Sequence, residues 1–248
     1  MTDREKCVTI YLERQVLSIM QEKIYTIPIH EAYESPCGCP LCTLALKLES
    51  DALDYVMGAA MMEPDVRIAT NRAGFCRAHL TKMFSMKNRL GLSLILQTHL
   101  QETREKLPSK GLFGNLDCSK ALAKLDKLGH ECFVCSRVGE FFDHICENLV
   151  YMWEKDLSFR QQFAEAESLC LPHAEKLLQY GSKRLPKKLS SEFAIAVCQQ
   201  VGKSLEARQA EIDAFCKSFE YQNSGNVMTE EQKHGAERTA NALRGRDA

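Results

Sequence analysis

Four short strings of cysteine and histidine stand out as residues that could do chemistry. Two are Cys-x2-Cys pairs, Cys39-Pro40-Leu41-Cys42 and Cys132-Phe133-Val134-Cys135. Two are Cys-x2-His pairs, Cys76-Arg77-Ala78-His79 and Cys170-Leu171-Pro172-His173. Each Cys-x2-Cys precedes a Cys-x2-His, with 33 intervening residues in the first case and 34 in the second. Chance readily supplies one such pattern, but not two with nearly equal long spacers. Three thiolates and one imidazole suit a tetrahedral divalent ion, zinc above all. A Cys-x2-Cys at a helix entrance points two thiolates toward the free N–H groups of the first turn, whose partial positive charge favours them. Pro40 fits that turn because it has no N–H to lose. In Cys-x2-His the ligands stand at i and i+3, neighbours on one helical face. The expectation is one Zn2+ on Cys39, Cys42, Cys76 and His79 and a second on Cys132, Cys135, Cys170 and His173. Each spacer would then run out and back to return a Cys-x2-His to its own Cys-x2-Cys. An iron–sulfur cluster or haem, which similar ligands hold, ranks below zinc.

The spacers that must position these ligands resemble each other. A shift of 93 pairs Leu41 with Val134, Ala45 with Val138, Leu48 with Phe141, Ala52 with Ile145, Val56 with Leu149 and Ala59 with Met152. Steps of three and four residues mean that each spacer opens with an amphipathic helix burying the same face. Arg67 falls on Arg160. After a one-residue insertion, Phe75, Lys82, Met83 and Phe84 fall on Leu169, Lys176, Leu177 and Leu178. One helical unit has been duplicated. The same shift places Cys37 opposite His130, two residues before each Cys-x2-Cys. Cys37 and His130 are therefore candidate auxiliary residues, either hydrogen-bonding the ligands from outside or, for Cys37, acting as a redox-sensitive thiol.

Further apolar-periodic segments run from Leu92 to Leu107 and from Phe193 to Phe219, and no run of alternating residues is convincing as a strand, the nearest to one being Lys23 to Ile29, interrupted by Pro28. The predicted fold class is therefore all-α, a tandem-duplicated helical unit with each copy pinned by its own Cys3His site. Residues 1–22 read as an N-terminal amphipathic helix or extension, with Met20 an alternative start to Met1. Residues 23–110 form the first repeat and 111–220 the second, joined through the glycine-containing stretch Pro108 to Asn115. Residues 221–248, polar and with little apolar periodicity, read as a disordered tail.

The 248 residues carry 45% hydrophobic and 26% charged side chains with a net charge of -1. That composition is ordinary for a globular protein, and the balance offers no field for holding nucleic acid or an anionic membrane. No apolar run reaches the roughly 18 residues of a membrane span. With no export signal, a cytoplasmic location is expected. Twelve cysteines in a reducing compartment point to metal rather than disulfides. Cys7, Cys146 and Cys198 lie on apolar faces and read as small core residues. Cys118 and Cys216 have no partner at useful spacing. His99 and His144 read as structural histidines, the basic cluster Lys183, Arg184, Lys187 and Lys188 as a solvated loop, and Met57, Met61 and Met62 as core filling.

Four strings carry a family resemblance: Ile24-Tyr25-Thr26-Ile27-Pro28-Ile29, Cys39-Pro40-Leu41-Cys42, Met62-Glu63-Pro64-Asp65-Val66-Arg67 and Gly74-Phe75-Cys76-Arg77-Ala78-His79. Together, over roughly Lys23 to Phe219, they resemble an uncharacterised bacterial family of domains of unknown function. The resemblance implies a cytosolic bacterial protein with no established activity.

Among function classes, four protein ligands close a tetrahedral ion and leave no position for substrate. No Ser/His/Asp array, phosphate-binding glycine loop or paired-carboxylate motif appears. The leading expectation is a non-enzymatic, zinc-binding interaction or regulatory module for a protein partner, compatible with homo-oligomers. The alternative is a thiol-redox or metal-responsive switch, a sensor or chaperone, since zinc-bound thiolates can be oxidised with loss of the ion. Nucleic-acid binding is disfavoured further by spacers much longer than the roughly 12 residues of DNA-reading fingers.

Overall fold

The computed structural model describes residues 25–35, 38–109, 116–219 and 229–246, and all regular structure among them is helical. In the first repeat, α1 (residues 25–34) is followed by α2 (Pro40–Met57), a 3-10 turn (Ala59–Met62), α3 (Pro64–Ala73), α4 (Arg77–Ser85) and α5 (Arg89–Lys106). The second repeats the order with α6 (Cys118–His130), α7 (Phe133–Lys155), α8 (Leu157–Glu165), α9 (Leu171–Arg184) and α10 (Lys187–Ser218). Two more helices follow, α11 (Glu230–Lys233) and α12 (Gly235–Arg244).

Two local expectations are corrected. The described part of Lys23 to Ile29 is helix rather than strand. Ile29, Ala32 and Tyr33 are buried at helical spacing, so the three-to-four period, not alternation, governs the segment. The expected tail is also structured where it is described. Thr229 accepts from the Gln232 N–H while the Gln232 side chain accepts from the Thr229 N–H, a reciprocal cap that starts α11. In α12, Arg238 bonds both Glu167 and Glu211, and Ala242 is buried.

The chain forms two compact units that do not follow the tandem repeats. Among the described residues, one comprises those up to Leu46 with those from Phe142 onward, the other those from Lys47 to Phe141. Helices α2 and α7 each contribute their first turns to one unit and their remainder to the other. The first unit centres on aromatic side chains. Tyr33 meets Phe159 edge-on and stacks against Phe163, and Trp153 meets Phe193 edge-on at 5.0 Å between centroids. Gly181 of α9 lets Phe193 of α10 approach, because a Cβ there would stand 2.5 Å from the ring. Cys146 is buried in this core as expected, whereas Cys198 is exposed: it follows the buried Val197 on α10 and so falls outside the apolar stripe.

The second unit packs Ala52, Leu53, Val56 and Met57 of α2 against Met83 of α4, Leu92 and Ile95 of α5, and Cys132 and Val134 at the start of α7. His99 is a structural histidine, its Nδ1 2.9 Å from the Asn71 carbonyl oxygen. Among the described residues, no helix is long and apolar enough to cross a membrane.

Candidate metal centres

Each of the four strings sits at the start of a helix, and in the same way. The carbonyl oxygens of Cys39, Cys76, Cys132 and Cys170 accept the first helical hydrogen bond, from Thr43, Leu80, Ser136 and Ala174 respectively. Each of these cysteines is thus the N-terminal cap of its helix, and Cys42, His79, Cys135 and His173 occupy the third helical position. A cap residue and the third residue face each other across the first turn, as in a capping box. Here a pair of metal-binding groups replaces the usual Ser/Thr and Glu/Gln. Two such helix starts converge on each centre.

The convergence differs from the expected one. Cys39 and Cys42 meet Cys170 and His173, while Cys76 and His79 meet Cys132 and Cys135, and the four donor atoms of each set lie within 4.8 Å of one another. Each Cys-x2-Cys is completed by the Cys-x2-His of the other repeat. The physical reason lies in the units described above. The spacer helices α2 and α7 carry their chains out of one unit into the other and do not fold back on themselves. The first centre lies wholly within the first unit and the second wholly within the second.

In the first centre, His173 Nδ1 lies 3.6 Å from Cys39 Sγ, 3.4 Å from Cys42 Sγ and 3.1 Å from Cys170 Sγ, and Cys42 and Cys170 are 3.7 Å apart. In the second, His79 Nδ1 lies 3.1 Å from Cys76, 3.3 Å from Cys132 and 3.4 Å from Cys135, and Cys76 and Cys135 are 3.8 Å apart. Hydrogen bonding alone does not account for this. An imidazole nitrogen offers one proton or one lone pair, not three partners. Bond lengths of about 2.3 Å to sulfur and about 2.05 Å to nitrogen imply tetrahedral edges of about 3.8 Å between sulfurs and about 3.6 Å between sulfur and nitrogen. The observed edges lie at or somewhat inside these values, so each set has the donors, number and spacing to hold a metal ion.

The electrostatics fit as well. Three thiolates, one imidazole and a divalent ion sum to -1, and two helix starts of roughly +0.5 each offset that charge. At the first centre Cys39 is held well below the ordinary thiol range by hydrogen bonds from Cys170 and Cys42, while the bonds to Cys39 and Cys42 push Cys170 up. Burial pulls His173 down, but the bonds and charge of Cys39 and Cys42 outweigh it and carry the imidazole to about 9. At the second, burial raises Cys76, but the His79 N–H and the neighbouring thiols leave it below its usual value. Burial lowers His79 against the pull of Glu49.

The sets differ in what surrounds them. His79 Nε2 donates to Glu49 Oε1 at 2.9 Å, and Lys82 Nζ bonds both Glu49 oxygens at 2.7 and 2.6 Å. Glu49 is buried, and this carboxylate fixes the ring so that Nδ1 faces the sulfurs. The shift of 93 puts Phe142 at the place of Glu49, and its ring stands 5.1 Å from that of His173. Lys176, the counterpart of Lys82, lies over the Phe142 ring and pairs with Asp143.

Loops carry the cap cysteines into place. Gly74 has a φ of 64°, and a Cβ there would meet the His99 ring at 2.6 Å. Its carbonyl accepts from the Phe133 N–H, tying the Cys76 loop to the start of α7. In the first unit, Gln200 and Ser204, both buried on α10, bond the Ala166 carbonyl and the Leu169 N–H just before Cys170. After α12, the Arg246 N–H donates to Cys42 Sγ at 3.4 Å.

Of the two auxiliary candidates, His130 stands apart from both centres. His130 ends α6 with its side chain 79% exposed and bonded to Asp126, and Cys37 lies outside the described residues, as does Cys7. Cys118 and Cys216 are exposed, and His144 is exposed beside Glu147. Glu49 and Arg246 went unnoticed in the sequence. The pairing of Glu49 with Phe142 under the repeat shift was the available signal for the first, and nothing signalled the second.

Comparison with curated proteins and with solved structures gives no match. A family model does match, over residues 20–248, which takes in both centres and every described helix. The chain belongs to the family of unknown function DUF6062.

Proposed function

We propose that the protein binds two zinc ions in closed Cys3His centres and serves as a metal-pinned, non-enzymatic helical module, one that interacts with a protein partner in a reducing, cytoplasmic setting. One observation carries the zinc reading: at both centres three sulfurs surround a single imidazole nitrogen at distances near a zinc tetrahedron's edges. Closure supports the non-enzymatic role. All four corners are protein atoms, whereas catalytic zinc keeps a corner for water or substrate.

The test is elemental analysis with a visible spectrum on protein purified without oxygen. Two zinc ions per chain and a colourless solution are expected. Iron with visible absorption, or a metal-free chain that still folds, would overturn the reading. Cobalt substitution then separates a closed from an open centre. The tetrahedral cobalt–thiolate bands should not move when azide or cyanide is added, and a shift would reveal an exchangeable corner and so a catalytic site.

A further inference from the structure

The two centres are unequally protected. At the first, Cys39, Cys42 and Cys170 are all buried, the Cys42–Cys170 edge is closed to solvent, and the backbone after α12 covers Cys42. At the second, Cys132 and His79 are buried, but Cys135 is exposed and Cys76 half-buried. The outer edge of that centre is the 3.8 Å line between the Cys76 and Cys135 sulfurs, which lie 59 positions apart in sequence.

We propose that this Cys76–Cys135 edge is an oxidative modification site. A two-electron oxidant of the peroxide class joins the two sulfurs in a disulfide and expels the ion, while the first centre keeps its own. The inference rests on the metal reading above and adds to it a chemistry and a place. The sulfur best placed for attack by a small oxidant is Cys135. Its electron pair takes the terminal peroxide oxygen, the O–O bond breaks, and sulfenic acid and hydroxide form. The Cys76 sulfur then attacks the Cys135 sulfur, forming the S–S bond and releasing a second hydroxide. Two solvent protons turn the hydroxides into water. The cysteine pair loses two electrons and hydrogen peroxide gains them. Closing the gap from 3.8 Å to the roughly 2.05 Å of a disulfide needs a shift of less than about 2 Å, shared between a helix cap and a first turn. Cys132 and His79 alone then remain, too few donors to keep the ion. At the first centre Cys39 and Cys42 border a cavity, but they are only 5% and 1% exposed and Cys170 is fully buried, so no pair there is comparably open.

The experiment uses the full-length, zinc-loaded chain, with ions counted before oxidation. Hydrogen peroxide is added at low excess, a chromophoric chelator reads released zinc, and peptide mapping reads the disulfide. The expected result is fast loss of one of the two ions, a Cys76–Cys135 link, and rebinding of one ion after reduction. In the variant Cys135→His, whose bound ions are counted first, the Cys76–Cys135 link cannot form and the fast phase should be lost. Release of both ions together, release of neither, a Cys132–Cys135 link, a link within the first centre, or an unchanged fast phase in Cys135→His would overturn the proposal. Two ions present without selective oxidation overturns only this inference, whereas no ions before oxidation overturns the metal reading itself.

Discussion

Glu49 and Phe142 stand at equivalent places in the two repeats, and each faces the imidazole of a centre. Their chemistry differs. A buried carboxylate that accepts from the distal imidazole N–H fixes the tautomer and makes the ring a better ligand, and losing such a partner typically costs 10–100-fold in metal affinity. The variant Glu49→Ala should therefore weaken the second centre by about that factor and leave the first unchanged, whereas Phe142→Leu should spare affinity at the first. Two-step chelator competition measures both, and equal weakening of the two centres by Glu49→Ala would show that the carboxylate acts on the fold rather than on the ring. The cysteines outside the centres divide by environment. Burial pushes Cys146 up to about 12, so it stays a protonated, inaccessible thiol at pH 8. Alkylation of the native loaded protein at that pH should label Cys118, Cys198 and Cys216 and spare Cys146, as peptide mass mapping will show. The eight residues of the two clusters were legible from spacing alone, because the cap and the third helical position impose the x2 interval. Which pair serves which centre was not. Spacers of 33 and 34 residues are nearly equal, so a return to the same repeat and a crossing to the other satisfy the same pattern.

Helix starts position every candidate ligand, so the centres depend on the loops that set where those helices begin. Gly74 is the most constrained of these loop residues. It combines a left-handed φ with a close approach to His99, and its carbonyl holds the α7 start beside the Cys76 loop. Replacing it with alanine adds a methyl where the backbone disfavours one and the His99 ring already stands. Such strain commonly costs about 1–3 kcal/mol, and the loss should concentrate on the second centre. Gly74→Ala is expected to weaken its ion more than the first centre's, with urea midpoints and zinc stoichiometry as the readouts. Full retention of two tightly held ions would show that the loop can shift without cost. The elements themselves were legible where an apolar stripe recurs. The last two helices were not, because their composition is polar and only one face is used. Their signals were local: Thr229 three residues before Gln232 marks a cap, and Gly245 with φ 81° ends α12. What holds α12 is also polar, Arg238 bridging Glu167 and Glu211, and no periodicity of apolar residues reports an ion network.

At the scale of the whole chain, duplication and crossing together decide what bound ions would hold together. Zinc in small domains contributes about 10–16 kcal/mol of binding free energy at neutral pH, as much as the roughly 5–15 kcal/mol that keeps a typical domain folded. Each centre takes two residues from the first repeat and two from the second, so an ion held there would staple the repeats to one another instead of closing either on itself. That arrangement has a consequence that tandem pairing lacks. A protease site placed between Lys106 and Leu116 and cut after loading would leave one piece with Cys39, Cys42, Cys76 and His79 and another with Cys132, Cys135, Cys170 and His173. Under crossing, neither piece owns a complete centre. The pieces should co-elute with two ions, and stripping the ions should lower the urea concentration at which they separate. The same logic applies to stoichiometry. Cys42→Ser and His173→Ala should each remove one ion, and the double variant should still remove only one, whereas Cys42→Ser with Cys76→Ser should remove both. Cut pieces that part company with one ion each, or a double variant Cys42→Ser/His173→Ala that binds none, would restore the tandem pairing and make each repeat a self-contained module.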